Sequence, residues 1–127
     1  MSGYKDLAVY RKSYIAAKVV YELSESFPKR EEYGLASQIR RAATSVPLNI
    51  AEGYGKREGT RELLRYIRMA RGSNAEVEVL LDFAKDFGYI SEEEHARAAA
   101  DYEQIGKMLS GLINGLTDKT QLLITNA

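Results

Sequence analysis

Cysteine is absent from these 127 residues, which removes disulfides, thiol catalysis and cysteine-ligated zinc. The chain has one histidine, His95. Glu92-x-x-His95 has the spacing of half a di-iron bundle site, but such a site needs two such pairs and two further carboxylates. One chain therefore cannot complete it. A Ser-His-Asp triad needs only one histidine, held in a cleft against its nucleophile. His95 stands instead among four charges in the first turn of a helix, which reads as exposed surface, so no catalytic residue, metal ligand or cofactor is expected. No apolar run approaches the ~18 residues of a membrane span. The N-terminus MSGYKDLAVYRK lacks the apolar core of a signal peptide. The expectation is a cytoplasmic protein with no membrane partner. Strand signals, internal repeats and low-complexity tracts are also missing.

Net charge is zero, from 18 basic and 18 acidic residues, which argues against indiscriminate nucleic-acid binding by the whole surface. The charges are not evenly spread. Residues 56–71 hold six basic and two acidic side chains, and residues 76–103 hold nine acidic and two basic. Such polarisation can orient a nucleic acid, or hold subunits together.

Four helical segments account for nearly everything. The first runs from Asp6 to Phe27 and stops at Pro28. Leu7, Tyr10, Tyr14, Ala17, Tyr21 and Ser24 form one seam, and Val9, Ala16, Val20, Leu23 and Phe27 another beside it. So wide an apolar arc exceeds what one side of a bundle helix needs. The tyrosine seam reads as core, with an oligomer interface as the alternative. The second helix spans Glu32 to Glu52, with a kink expected near Ser45 because Pro47 removes a backbone donor. Gly53 is expected to stop it and Gly55 to supply a flexible turn. The third runs from Thr60 to Phe87, with Leu63, Ile67, Ala70, Asn74, Val77, Leu81 and Ala84 inward and Gly88 as its stop. Ser91 and Glu94 form a capping box. The fourth continues to Leu116 on Ala98, Tyr102, Ile105, Leu109 and Leu112. Short turns between four helices predict an all-α, antiparallel up-down-up-down four-helix bundle over residues 1–118. Residues 119–127 are set apart as a tail.

Two surface stripes stand out. On the second helix, Gln38, Arg41, Ser45, Asn49 and Glu52 lie directly beside the apolar seam of Leu35, Ile39, Ala42, Val46, Ile50 and Gly53. Uncharged residues (Ser37, Thr44, Leu48 and Ala51) follow on the other side. A polar row between two uncharged surfaces is expected to be partly buried and to hydrogen-bond with a neighbouring helix or another subunit. A solvated face is the bland alternative. On the third helix, Arg57, Arg61, Arg65 and Arg68 follow a 4-4-3 spacing along one face, with Lys56 before them and Arg71 to one side. Guanidinium forks suit phosphate, and only Tyr54 and Tyr66 are near for base stacking. That favours backbone or structured-RNA contact. Gly72 and Glu76 continue the line, Gly72 allowing close approach of a partner helix and Glu76 being available to Arg41. The bland alternative is a solvated face neutralised by neighbouring acids. The cluster Gly53-Tyr54-Gly55-Lys56 with Gly59-Thr60 lacks Walker spacing and a preceding strand, so it reads as a helix-helix turn. Beside Lys56, Arg57 and a helix N-terminus it has room for one phosphate.

The run QIRRAATSVPLNIAEGYG, with Ala70-Arg71-Gly72-Ser73 and Glu76, resembles the bacterial "four helix bundle protein" family, also called the 23S rRNA intervening-sequence protein family. Asp6-Leu7-Ala8-Val9, Phe27-Pro28 and Gly34-Leu35 extend the likeness, which covers about Tyr4 to Leu116. Tyr10 and Lys56 depart from it, where the family usually has Trp and Arg. The resemblance implies homopentameric rings of four-helix bundles, encoded within intervening sequences of ribosomal RNA genes. It also implies kinship with the accessory variability determinant, which assists the reverse transcriptase of diversity-generating retroelements by binding protein and RNA. The partners expected are thus further copies of the chain, RNA or DNA, and a reverse transcriptase or other protein. The alternative is an oligomeric scaffold with no nucleic-acid role.

Overall fold

This computed structural model describes residues 3–56 and 59–125, with side chains as far as Lys119. A short 3-10 turn at Tyr4–Asp6 leads into α1 (Ala8–Ser24), and a second at Lys29–Glu31 leads into α2 (Leu35–Lys56). Helices α3 (Thr60–Asp86) and α4 (Glu92–Thr125) follow. Each helix packs on its neighbour in sequence, and α1 packs on α4 to close the ring. With short connections this is the antiparallel up-down-up-down bundle. The core is a single cluster built from Val20, Ile39, Val46, Ile50, Ile67, Val77, Leu81, Tyr102, Ile105 and Leu109 among others. Among the described residues no helix is long and apolar enough to cross a membrane.

The helix ends follow local chemistry in some places and tertiary packing in others. At the end of α3, Gly88 takes φ +79°. Its N–H donates to the Lys85 carbonyl at 2.9 Å and the Tyr89 N–H to Ala84 at 2.8 Å, a Schellman closure that favours glycine. The capping box of α4 is formed reciprocally, with the Glu94 N–H on Ser91 Oγ at 3.0 Å and the Ser91 N–H on Glu94 Oε1 at 2.9 Å. Helix α4 then runs to Thr125, past Leu116 and through most of the stretch set apart as a tail.

Helix α2 corrects two expectations. It runs as one helix through Pro47 to Lys56, so Gly53 does not stop it and Gly55 does not supply a turn. Gly53 is buried within the helix, where an added Cβ would meet Tyr66 Cβ at 2.9 Å and Leu63 Cδ1 at 3.0 Å. The glycine is there for the close approach of α3.

A third correction concerns α1. Its inward face is the Val9, Ala16, Val20 seam with Ala17, and Tyr14 and Tyr21 stay 51% and 46% exposed. Within one chain the tyrosine seam is core only in part: Ala17 and Ser24 are buried and Leu7 and Tyr10 pack on the core's edge, while Tyr14 and Tyr21 lie outside it. Tyr10 is half-buried, 4.9 Å from Tyr4 and 6.0 Å from Tyr14 between ring centroids. These tyrosines line a groove of about 640 Å³ between α1 and α2, with Pro47, Leu48 and Ala51 as the opposite wall.

Candidate nucleic-acid interface

The basic stripe rises from the N-terminal half of α3. Its anchoring side chain is Tyr66, buried against Gly53 of α2. The Arg65 guanidinium lies over the Tyr66 ring at 4.7 Å. Lys56 Nζ donates to the Tyr66 hydroxyl at 2.7 Å. Arg65 also grips Glu62 with two bonds, Nε to Oε1 at 2.9 Å and Nη2 to Oε2 at 3.3 Å. That fork lowers the Glu62 pKa and raises that of Arg65 through the hydrogen bond first and charge second. The pair is open to solvent, so screening by water leaves it worth little.

Arg61 and Arg68 are exposed, and among the described residues no carboxylate lies within ion-pair distance of either. Arg71 points to the side, its Nη1 donating to Ser110 Oγ on α4 at 3.5 Å. Arg57 lies outside the described residues. Of the two aromatics expected for stacking, Tyr66 is buried beneath the cations and Tyr54 is half-buried, where desolvation raises its phenol pKa. What the face offers is cationic forks rather than open rings.

The polar stripe of α2 divides in two. Ser45 Oγ and Ser73 Oγ of α3 are 2.8 Å apart, and Asn49 Nδ2 donates to both the carbonyl and the hydroxyl of Ser45 at 2.9 Å. Gln38, Arg41, Glu52 and the downstream Glu76 are exposed in the single chain. Arg41 and Glu76 do not pair among the described residues.

Opposite charge gathers at the other end of the bundle, where the C-terminus of α3 meets the N-terminus of α4. There Glu78, partly buried, is held above the usual carboxylate range by desolvation, then by Glu103 and Asp82. His95 belongs to this end. It is only partly exposed, with Nε2 2.7 Å from Asp82 Oδ1, rather than standing free on the surface as its sequence setting suggested. Among the described residues no group of three or more metal-ligating side chains comes together.

Sequence reasoning missed Lys107 and Ser110 of α4, which line one groove with Arg71. Their only signal was the 4-3-4 spacing of Glu103, Lys107, Ser110 and Asn114, which says nothing of the neighbour it faces.

Comparison with known proteins fits this architecture. A Bacteroides thetaiotaomicron VPI-5482 protein of unknown function, from the S23 ribosomal protein family, has a similar structure with a TM-score of 0.77. The two chains share 24% identity over 84% of this chain and 98% of that one, a likeness of fold. No curated protein matches. The model of the family described as 23S rRNA-intervening sequence protein matches residues 5–111. That span includes all of α1, α2 and α3 and over half of α4, and the chain belongs to that family.

Proposed function

We propose that this chain is a non-enzymatic, homo-oligomeric bundle that binds structured nucleic acid through its phosphates, using the outer face of α3. The observation that carries the reading is the exposure of Arg61 and Arg68 with no carboxylate partner among the described residues. Guanidinium forks meet phosphate oxygens with two parallel N–H donors. Arg65 adds a third cation, since its surface pair with Glu62 is weak enough for a phosphate to replace. Burial of Tyr66 disfavours a stacking mode and leaves backbone contact. Repetition of the stripe around an oligomer multiplies the charge. The family's description sets its members beside ribosomal RNA, which supports RNA as the first probe.

The alternative, an oligomeric scaffold or protein-partner-binding module with no nucleic-acid role, is favoured by one observation, the exposed apolar groove between α1 and α2. The test is to replace Arg61, Arg65 and Arg68 by Gln and to titrate an RNA hairpin and duplex DNA at several salt concentrations. The variant is expected to lose affinity on all sequences alike. Its log-log salt slope on the duplex should be shallower by about 0.9 per lost contact. No binding by the parent at low salt, or equal binding with equal slope by the variant, gives the result to the scaffold.

A further inference from the structure

The cationic surface of α3 turns inward at Arg71. Its guanidinium leaves the line of Arg61, Arg65 and Arg68 and reaches Ser110 of α4. Beneath it lies a groove of about 480 Å³ between α3 and α4. Ala75, Gly106 and Gly111 keep this groove open, and Glu103, Lys107, Ser110 and Asn114 form its α4 wall at spacings that align on one helix face.

Because the two helices are antiparallel, charge is graded along the groove. Arg71 stands opposite Ser110 at one end, and Lys107 follows on the same α4 face one turn nearer the middle. In the middle Asn74 Nδ2 donates to the Tyr102 carbonyl at 2.8 Å and would lie 3.1 Å from a Cβ on Gly106. At the other end Glu78 and Glu103 crowd each other, with Asp82 adding negative charge. Lys107 follows Glu103 by one helical turn, yet the two do not pair among the described residues. The ammonium remains exposed. Two cations on one groove, with the Ser110 hydroxyl that Arg71 reaches lying one helical turn from Lys107, suit the oxygens of a monoanionic phosphodiester.

We infer that the Arg71–Lys107 end of this groove is a second phosphate site, taking a backbone phosphodiester with the Ser110 hydroxyl as a third donor. Glu78 and Glu103 repel the strand from the other end, so the nucleic acid crosses α3 onto α4 near Arg71 and does not follow the groove along its length. This rests on the nucleic-acid reading above and extends it to residues of α4.

The experiment uses the full chain with an RNA hairpin and a B-form duplex. Lys107→Gln is expected to weaken binding on every sequence and to make the duplex salt slope shallower by about 0.9, the loss of one phosphate contact. Lys107→Arg should keep the parent slope, and Glu103→Gln should bind more tightly than the parent. Melting temperature and oligomer size, measured alongside, should be unchanged in Lys107→Gln, because the side chain is exposed and unpaired among the described residues. If the triple arginine variant loses binding while Lys107→Gln matches the parent in affinity and slope, the groove site is overturned and the α3 stripe stands. If the parent itself binds neither probe at low salt, both readings fall together.

Discussion

Gly53 and Gly55 stand two residues apart on the same helix and have opposite reasons to be glycine. An alanine at 53 would place its Cβ 2.9 Å from Tyr66 Cβ and 3.0 Å from Leu63 Cδ1, so α3 must move or side chains must leave their rotamers. Overpacking of this kind costs about 1–3 kcal/mol, more than the ~0.5–1 kcal/mol a helical alanine recovers over glycine. At 55 an added Cβ would meet nothing within 4 Å among the described residues. Gly53→Ala is therefore expected to destabilise the fold and Gly55→Ala to stabilise it, both read from urea denaturation midpoints. Changes of the same sign would show that α2 and α3 do not approach as described. Within the sequence both glycines gave the same stop-and-turn signal, because what separates them is a neighbour ten or more residues away.

At the scale of elements, the helix starts differ in how they are capped. Helix α4 uses Ser91 and Glu94, a pairing three residues apart that the sequence shows directly. Helix α2 is served by Glu31 from the preceding 3-10 turn. Its Oε1 accepts from the Leu35 N–H at 3.0 Å and its Oε2 from the Tyr89 hydroxyl at 2.7 Å. The Leu35 bond first, then that of Tyr89, holds the Glu31 carboxyl below the usual carboxylate range. The lowered value means the carboxylate's contribution is complete at neutral pH. It is lost as pH falls from the ordinary carboxylate pKa through the lowered one. Glu31→Gln should therefore melt below the parent at pH 7, with the gap closing as pH falls below the ordinary carboxylate range. A gap that stays constant across that range would mean the carboxylate charge has no part in capping. Tyr89 lies far along the chain from Glu31, which is why no local pattern announced the clamp.

For the whole molecule, the main question is what covers the groove between α1 and α2. Tyr14, Tyr21 and Leu48 leave an apolar surface open, Leu48 being 59% exposed. Contiguous exposed apolar surface on a soluble chain marks an interaction site. The expectation is assembly through this face, and the number of about five chains comes from the family resemblance, a closed ring being the symmetric solution for a head-to-tail contact. Light scattering with size exclusion should give that mass for the parent. Leu48→Glu should shift it toward the monomer without lowering helix content, since the side chain contributes little to the core of one chain. A parent that runs as a clean monomer at every concentration would end this reading, as would a Leu48→Glu variant of unchanged size. The exposed half of the α2 stripe, Gln38, Arg41 and Glu52, adjoins this face, so its burial is decided by the same measurement.

The sequence by itself determined the four helices, the inward seams of α3 and α4, the Gly88 stop and the Ser91 cap. Each is fixed by interactions within a few residues or by a period that one helix can express. It also showed the arginine line on α3, because a 4-4-3 spacing aligns side chains whatever surrounds them. It did not determine which of two adjacent apolar seams on α1 faces the core. A wide apolar arc satisfies either orientation, and only the packing of α2 and α4 against Val9, Ala16 and Val20 chose one and left Tyr14 and Tyr21 outside. Nor did it pair Arg71 with Ser110 or set Lys107 on the wall of the same groove. Both lie more than thirty positions from Arg71, and only the antiparallel docking of α3 on α4 brings them to one groove with it.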